Sequence, residues 1–238
     1  MINYMTRAEL EEISEGLIKA YTNKFSNKVG QESIDIEHFI TEFLGLKIEY
    51  AAFAEYDKSK IGFLADGETE LLIYQNGRII PFIFQKDTIV LDKSLISEKE
   101  TGRRRFTLAH EASHHILSKM YAMPGEGNFC TEYDCERSYS KEELSKMLHM
   151  SERQADTMAA CLLMPRYIVE NALDKYVQSN PIKIYGKIVS IRDKAFISRM
   201  AAYIGVSYIS LYYRLLEMKL FEEHDMQEYF SQELHLEV

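Results

Sequence analysis

The chain has 238 residues, of which 46% are hydrophobic and 27% are charged, and its net charge is −9 at pH 7. This balance is typical of a globular protein and excludes a disordered chain, and the length allows one large domain or one domain with an appendage. The negative charge argues against binding to phosphate backbones, and no apolar run approaches the roughly 20 residues of a membrane span.

The first residues, MINYMTRAELEEISEGL, lack the basic, apolar and small-residue regions of a signal peptide, so we expect a cytoplasmic protein. Three cysteines are present. Cys161 lies in an apolar helical segment and is expected in the core. Cys130 and Cys135 have a spacing that fits no common zinc knuckle, and their role stays open.

Two amphipathic helices are predicted at the start of the chain, over residues 6–21 and 33–45, because apolar side chains recur there at helical spacing. From residue 46 to 91 the pattern changes to that of strands. Asn76-Gly77 separates two apolar runs, which strongly indicates a hairpin, and Pro81 places the second strand at an edge or a bulge. We expect a small, strongly twisted and mostly antiparallel sheet.

After the strands the sequence predicts helices almost to the end. One helix covers about 102–121, a loop covers roughly 122–140, and a short helix precedes a long one that starts at Ser151, a favoured N-cap residue. The segment SNPIKIYG is interpreted as a linker to the final helices. The first of these helices contains three histidines, His110, His114 and His115.

The stretch HEASH, residues 110–114, has the spacing of a metal site. Residues four apart on a helix point the same way, so His110 and His114 can share one cation, and Glu111 lies beside it as a base for an activated water molecule. This is the helical HExxH arrangement of zinc peptidases, although two histidines at this spacing also arise by chance. His115 is expected to face solvent.

A third ligand is predicted on the long helix, where Glu152 and Asp156 share one face. Two histidines and one carboxylate leave the fourth zinc position open for water, and Asp156 can accept the free N–H of a ligating histidine. The alternative is a solvated acidic turn at a helix start, which the helix dipole also favours. The packing side of this helix is predicted to contain Ala155, Met158, Ala159 and Leu162.

The segments RRRFTLAHEASHHIL and ERQADTMAACLLMP resemble the ImmA/IrrE family of zinc metallopeptidases over roughly residues 30–178. Members show an RFTLAHE-like helix start, the HExxH motif and a later Glu-x-x-Ala-(Asn or Asp) segment that runs into Leu-Leu-Met-Pro. Met158 stands where an aromatic residue is usual. The resemblance implies that His110, His114 and Glu152 are the metal ligands, that Glu111 is the catalytic base and that Asp156 supports the site.

The resemblance also implies a function. We expect a gluzincin-like, zinc-dependent endopeptidase that cleaves a regulatory protein, such as a transcriptional repressor of a stress response or a mobile element. The same ligands accept manganese or iron. A non-catalytic, metal-containing module that binds a protein partner is the alternative, and an intact Glu111 favours the enzyme. Candidate oxyanion-stabilising residues are Tyr121, Tyr133, Arg137, Tyr139 and His149.

Near the C-terminus, Gly205-Val206-Ser207 separates two amphipathic helices in the manner of a helix-turn-helix. The second helix is too apolar to read a DNA groove, so we favour a hairpin packed on the protein over direct nucleic-acid binding. The predicted fold is α+β and zincin-like, with a small twisted sheet packed on the HExxH helix. Its predicted parts are an N-terminal helix (1–28), a peptidase domain (29–185) and a C-terminal helical subdomain (186–238).

Overall fold

A computed structural model describes residues 5–25, 32–57, 60–121, 141–177 and 181–232, and these form a mixed α+β structure of small sheets and helices. The chain divides into two compact units, Met1–Val29 with Asp35–Leu163 and Gly30–Ile34 with Met164–Val238. The domain boundaries predicted at residues 28 and 185 stay a prediction. Across the described ranges, every helix is too short or too polar to span a bilayer.

The first unit begins with α1 (Arg7–Lys24), which confirms the predicted first helix. Its start is fixed by a capping box, in which the Thr6 hydroxyl accepts from the Glu9 N–H and the Glu9 carboxylate accepts from the Thr6 N–H. Leu10 and Ile18 are buried on one side of α1. Each such side chain contributes roughly 1.5–3 kcal/mol when it leaves water.

The predicted second helix is present in two parts, a short α2 (Ile36–His38) and a π-helical turn over Phe39–Phe43. Asp35 caps its start, since the Asp35 carboxylate accepts from the His38 N–H at 3.0 Å. Ile36, Phe39 and Ile40 are buried as the apolar stripe predicted. This segment joins α1 to the strands of the first unit.

Five strands follow, grouped into two sheets. The larger sheet has the order β1-β5-β2, in which β1 pairs parallel with β5 and β2 pairs antiparallel with it. The smaller sheet is an antiparallel hairpin of β3 and β4. β2 was not among the strands predicted from the sequence. The strand bounds are β1 (Lys47–Ala51), β2 (Gly62–Ala65), β3 (Glu70–Gln75), β4 (Arg78–Ile83) and β5 (Thr88–Asp92).

The hairpin confirms the turn that was predicted from Asn76-Gly77. Both residues have positive φ, 52° and 75°, which a two-residue turn between twisted strands requires and which asparagine and glycine tolerate. Pro81 lies on β4, which among the described residues pairs with β3 alone. The other side of β4 has no neighbouring strand within the described segments, so the missing N–H of Pro81 costs no hydrogen bond between strands.

Two long helices complete the first unit, α3 (Thr101–Tyr121) and α4 (Lys141–Leu163). They pack against each other, and α3 also contacts β2 and β5 while α4 contacts α1. Cys161 is buried in α4, as predicted. The helix α3 therefore lies between the larger sheet and α4, and this position decides where its histidines point.

The C-terminal subdomain was predicted to be helical, but the second unit also contains a three-stranded sheet. The segment interpreted as a linker contains β6 (Ile182–Tyr185), which pairs antiparallel with β7 (Ile188–Val189) and parallel with β8 (Phe221–His224). Ile182, Ile184 and Tyr185 are buried in this sheet. The helices of the unit are α5 (Arg166–Val177), α6 (Ile191–Ile204), α7 (Tyr208–Glu217) and α8 (Met226–Gln232).

The turn between α6 and α7 has the predicted helix-turn-helix form. Gly205 ends α6 in the left-handed conformation, and the Ser207 hydroxyl accepts from the Ser210 N–H to start α7. Arg214 of α7 is 1% exposed, and its Nε donates to the Met164 carbonyl at 3.0 Å. The outer side of α7 is apolar, since Ile209 is 64% exposed.

A second histidine with carboxylate neighbours lies at the end of β8. His224 Nε2 is 2.8 Å from Glu222 Oε1, and His224 Nδ1 is 2.7 Å from Glu228 Oε2. The Tyr185 and Tyr229 rings lie tilted against each other with centroids 5.2 Å apart, and Tyr185 also contacts the His224 ring. These contacts connect α8 to the sheet of the second unit.

Candidate metal centre

The first element of the candidate site is the middle of α3. Leu108, Ala109 and Ala112 are completely buried, so this part of the helix is fixed on its inner side. His110 and His114, one turn apart, lie at the margin of that buried surface and are half-buried. The sequence analysis predicted this placement.

The second element is α4, and here the structure corrects the sequence analysis. Ser151 was predicted to be the N-cap of a separate helix, but α4 is continuous from Lys141, about three turns before Glu152. The segment KEELSKMLHM is rich in strong helix formers and allows this. Glu152 and Asp156 are therefore not in a first turn, so the helix dipole does not explain their presence.

Small side chains allow the two helices to approach closely. Ala155 and Ala159 share the face of α4 that contains Glu152 and Asp156, and both alanines are 0% exposed. Met158 and Leu162, also predicted for the packing side, are 0% exposed as well. Because α3 packs on α4, Glu152 lies next to histidines that precede it by about forty residues.

Three potential ligand atoms converge at this contact. His110 Nε2 lies 3.0 Å from His114 Nε2 and 3.2 Å from Glu152 Oε2, and His114 Nε2 lies 3.5 Å from Glu152 Oε1. One ligand atom from each residue lies within 4.8 Å of the others. Within the described ranges, this is the one group of histidine, cysteine and carboxylate residues with that property.

These distances fit a tetrahedral metal ion. Bonds of about 2.0–2.1 Å at tetrahedral angles place two ligand atoms about 3.3–3.4 Å apart. The two histidine nitrogens are 3.0 Å apart, and their short distances to the Glu152 carboxylate, 3.2 Å to Oε2 and 3.5 Å to Oε1, are also close to this value. Two imidazoles and one carboxylate are also the ligand types that a catalytic zinc site uses, with one position open.

Asp156 lies on the other side of His110. Its Oδ1 is 2.9 Å from His110 Nδ1, while His110 Nε2 faces Glu152. A proton held on Nδ1 by this carboxylate leaves the Nε2 lone pair directed toward the other two ligands. The structure thus brings Asp156 to the position that the sequence analysis predicted for it.

Glu111 lines the same cleft as the three ligand residues. Burial raises the pKa of its carboxyl to about 7, against the opposing influence of His110, and the charge of Glu152 acts in the same direction as burial. The Leu64 N–H of β2 donates a hydrogen bond to this carboxylate. The sequence analysis missed this contact, although the apolar run IGFLA before Asp66-Gly67 could have indicated a strand here.

The two histidines are perturbed in opposite directions. Burial disfavours the protonated form of His110, but the hydrogen bond to Asp156 and the charges of Glu111, Asp156 and Glu152 outweigh burial and raise its pKa. Burial and the neighbouring His110 lower the pKa of His114. A neutral His114 is the form in which imidazole binds a metal.

A cleft of about 740 Å³ opens beside the ligands. Its walls come from β2, from the start of β3 and from the faces of α3 and α4 that contain the site. The lining is partly apolar, through Phe63, Leu71 and Phe106, and partly charged, through Glu55, Lys60 and Glu70. A cleft of this volume accommodates several side chains of a polypeptide.

The expectation for His115 is wrong. This residue is 4% exposed rather than solvent-facing, and its Nδ1 lies 3.5 Å from Asp87 Oδ1. The reason is that α3 is covered by the sheet on one side and by α4 on another, so its buried surface is wider than one stripe.

Several predictions fall on parts of the chain that the structure does not describe. Tyr133, Arg137 and Tyr139 lie outside the described residues, as do Cys130, Cys135 and the loop at 122–140, and only the helical backbone of Tyr121 and His149 is described. The oxyanion group and the role of the two cysteines therefore stay predictions of the sequence analysis. The five candidate side chains are Tyr121, Tyr133, Arg137, Tyr139 and His149.

Comparison with known proteins identifies the family. The model of the Peptidase_M78 family, described as the IrrE N-terminal-like domain, matches residues 42–216, which is more than half of the chain. The matched region contains His110, Glu111, His114 and Glu152. No curated protein matches the chain. The chain belongs to the Peptidase_M78 family, which confirms the resemblance to ImmA/IrrE peptidases.

Proposed function

We propose that this chain is a zinc-dependent endopeptidase of the zincin-like, gluzincin type, in which His110, His114 and Glu152 hold the metal. The observation that carries the proposal is the convergence of three ligand atoms within 4.8 Å in a member of a peptidase family. Their spacing fits tetrahedral coordination and favours zinc over larger, oxygen-preferring cations.

When bound, the metal supplies Lewis-acid chemistry, which activates a water molecule near neutral pH and polarises the peptide carbonyl. Glu111 is the proton carrier of the proposed reaction. Its carboxylate accepts a proton from the attacking water and delivers it to the nitrogen of the leaving amine. A pKa of about 7, raised mainly by burial, allows Glu111 both to accept and to release this proton at neutral pH.

Asp156 orients the reaction site indirectly. Its contact with His110 Nδ1 at 2.9 Å fixes the ring and selects the tautomer with a free Nε2. The ligand His110 therefore loses little rotational freedom on metal binding, because its orientation is set beforehand. We assign Asp156 a positioning role for this reason.

The substrate in this proposal is an extended segment of a protein. The strand β2 lines the cleft, and in the described part of the chain no strand pairs with its outer edge. Ile61 and Ala65 accept hydrogen bonds from the β5 side, so Gly62 and Leu64 direct their backbone groups to the outer edge. The Leu64 N–H is taken by the Glu111 carboxylate, while the other backbone groups of this edge can pair with an extended peptide, which favours such a substrate over a small molecule.

We further propose that the protein substrate is a transcriptional regulator of a stress response or a mobile element. The net charge of −9 favours the approach of a basic partner, and DNA-binding proteins are commonly basic. The chain itself is proposed not to bind nucleic acid, because Ile209 and Tyr213 make the outer side of α7 apolar. Fluorescence anisotropy with a labelled DNA duplex should show no binding up to about 10 µM protein, whereas the tightest non-specific binders have dissociation constants of about 1 µM.

A metal-containing module that binds a partner without cleaving it is the second candidate. The metal ligands alone are compatible with it. The placement of Glu111 in the cleft beside the ligands favours the enzyme, because a module that only binds gains nothing from a half-buried carboxylate there.

The test separates metal binding from catalysis. Metal per chain is measured by elemental analysis for wild type, Glu152→Gln and Glu111→Gln, and hydrolysis is measured with a library of quenched fluorescent peptides. We expect about one zinc per wild-type chain, a clear loss in Glu152→Gln, and retained zinc with roughly 10²–10⁴-fold slower hydrolysis in Glu111→Gln. Zinc retention without hydrolysis in the wild type would support the binding module instead.

The substrate class has its own experiment. Newly formed protein N-termini are compared by mass spectrometry in cells that produce the wild type or Glu111→Gln. Cleavage sites that need Glu111 and lie in a DNA-binding regulator are the expected result. Sites confined to proteins of other classes would contradict the proposed target while leaving the peptidase activity in place.

A further inference from the structure

Gly62 of β2 lies directly against the candidate catalytic base. A Cβ atom built on Gly62 would lie 2.7 Å from Glu111 Oε1 and 3.2 Å from Glu111 Cγ. It would also lie 2.5 Å from the Thr107 Cγ2 methyl. A side chain at position 62 therefore cannot coexist with the present position of the Glu111 carboxylate.

The backbone of position 62 does not itself require glycine. Gly62 is not among the described glycines with positive φ, whereas Gly67, five residues later, has φ of 86°. An alanine at position 62 would meet no conformational penalty of the left-handed kind. The reason for glycine lies in the neighbours, Thr107 and Glu111, rather than in the turn geometry.

β2 cannot move away from Glu111 without losing its pairing with β5. Antiparallel pairing matches Gly62 with Leu91, Phe63 with Val90 and Leu64 with Ile89, and these three β5 residues are 0% exposed. The Asp92 N–H also donates to the Ile61 carbonyl at 2.9 Å. A clash at position 62 is therefore relieved most easily by rotation of the Glu111 side chain.

The same strand fixes Glu111 from a second point. The Leu64 N–H donates to the Glu111 carboxylate, two residues beyond the contact with Gly62. The Leu64 N–H and the Cα of Gly62, which has no side chain, thus confine the Glu111 carboxylate from two directions. Glu111 itself is only one residue from the ligand His110, so its rotamer decides whether it faces the reacting atoms.

We propose that Gly62 is a positioning residue, which acts by keeping the β2 backbone directly against the Glu111 carboxylate so that the base faces the metal ligands. This inference rests on the proposed function for its effect on hydrolysis. Its structural content, the position of the carboxylate against Leu64 N–H, does not depend on that function.

The first experiment compares Gly62→Ala with the double variant Gly62→Ala/Thr107→Ser. The serine lacks the methyl group that lies 2.5 Å away, so the remaining short contact of the alanine is with Glu111. Against the Thr107→Ser background, we expect kcat on the best peptide of the quenched library to fall about 10–100-fold. Zinc per chain should change less than twofold, because the ligands are untouched. KM should change less than kcat, because the backbone edge of β2 that lines the cleft is kept.

Gly16→Ala is the matched control. Gly16 lies in α1, and a Cβ built there meets nothing within 4 Å. This variant makes the same chemical change without a clash, and its kcat should equal that of the wild type. If Gly62→Ala only destabilised the protein, the fraction of active, zinc-loaded enzyme would fall. We expect instead a full complement of zinc and a lower kcat.

Two readouts do not need a substrate. Hydrogen exchange of the Leu64 amide should become faster in Gly62→Ala/Thr107→Ser, while the β5 amides keep their protection. Against the Thr107→Ser background, Gly62→Ala should lower the melting temperature less when Glu111 is replaced by alanine, because both clashing groups are then absent. Should Gly62→Ala/Thr107→Ser fail to fold, Glu111→Ala in the same chain is expected to restore folding.

Unchanged kcat and unchanged Leu64 exchange in the double variant would overturn the proposal, and so would melting temperatures that add independently at positions 62 and 111. Failure of the proposed function looks different. In that case the zinc-loaded wild type cleaves no peptide, and the exchange and unfolding measurements still decide whether Gly62 positions Glu111.

Discussion

Two histidine–carboxylate clusters in this protein differ in how their atoms are arranged. In the first unit, three ligand atoms of His110, His114 and Glu152 converge within 4.8 Å. In the second unit, His224 has a carboxylate on each ring nitrogen, Glu222 at 2.8 Å and Glu228 at 2.7 Å. The second cluster contains both residue types of the first, yet its three residues do not bring one ligand atom each to within 4.8 Å of one another.

The comparison shows that residue types alone do not make a metal site. His110 also has a carboxylate at each ring nitrogen, Asp156 at Nδ1 and Glu152 at Nε2, but His114 Nε2 lies beside His110 Nε2 as well, so three residues direct ligand atoms to one point. The clusters also differ in how far apart their residues lie in the sequence. The second forms within seven residues, whereas the first depends on the packing of α3 against α4.

The largest expected effect breaks the first cluster. His114→Ala removes one of the converging ligands and should weaken zinc binding by more than 100-fold, since even residues that only support a ligand contribute 10–100-fold. His224→Ala, the matched change in the second cluster, should leave zinc affinity unchanged. Competition titration with a chromophoric chelator measures both, and equal affinities in the two variants would contradict the distinction between the clusters.

Next in size is the effect of the residue behind His110. Asp156→Asn weakens the hold on His110 Nδ1 and should reduce zinc affinity about 10–100-fold without abolishing binding. Glu228→Gln makes the equivalent change behind His224 and serves as the control. The same chelator titration applies, and an Asp156→Asn affinity equal to that of the wild type would remove Asp156 from the site.

A third change tests the dependence on helix packing without touching any ligand. Ala155→Leu adds bulk to a fully buried position between Glu152 and Asp156 and should cost about 1–3 kcal/mol in the free energy of unfolding. Zinc affinity should fall with it, because the two helices are forced apart. Ala202→Leu on an exposed position of α6 is the control, and urea unfolding with and without zinc gives both values.

The smallest expected effect concerns a carboxylate that, like the second cluster, is held by local contacts. The Thr69 hydroxyl and the backbone N–H groups of Thr69 and Glu68 donate to Asp66 and lower the pKa of its carboxyl to about 2. The stabilisation is therefore present above the ordinary pKa of 3.8 and is lost as the pH falls toward about 2.

Because Asp66 is exposed and screened by solvent, this contribution is expected to be a fraction of 1 kcal/mol. Asp66→Asn should lower the melting temperature slightly above pH 4, and the difference from the wild type should vanish near pH 2. Thermal unfolding from pH 2 to pH 5 measures it. A difference that grows as the pH falls would have the wrong sign.

The sequence was sufficient for the parts of the site that depend on local spacing. His110, Glu111 and His114 follow from one helical turn, and Asn76-Gly77 fixes the hairpin through its own backbone preferences. The pairing of Glu152 with the histidines was predicted from a resemblance and from shared faces. The contact itself needs the packing of α3 on α4, which no local pattern encodes.

Each prediction that was wrong or missing also has a physical reason. His115 is buried because the sheet and α4 both cover α3, and periodicity along one helix does not reveal how many neighbours it has. Ser151 has the chemistry of an N-cap, but the helix-forming segment before it continues the turn. Short strands such as β2 and β6 have too few residues for a reliable alternating pattern.

The contact of α1 with α4 has a consequence for truncation. Gln154, two residues after Glu152, donates from Nε2 to the Met5 carbonyl at 3.2 Å, and α1 packs along α4. Yet α1 ends at Lys24, before the family match begins at residue 42. A fragment trimmed to the matched region would therefore contain every ligand residue but lose α1, which packs against the helix that contains Glu152.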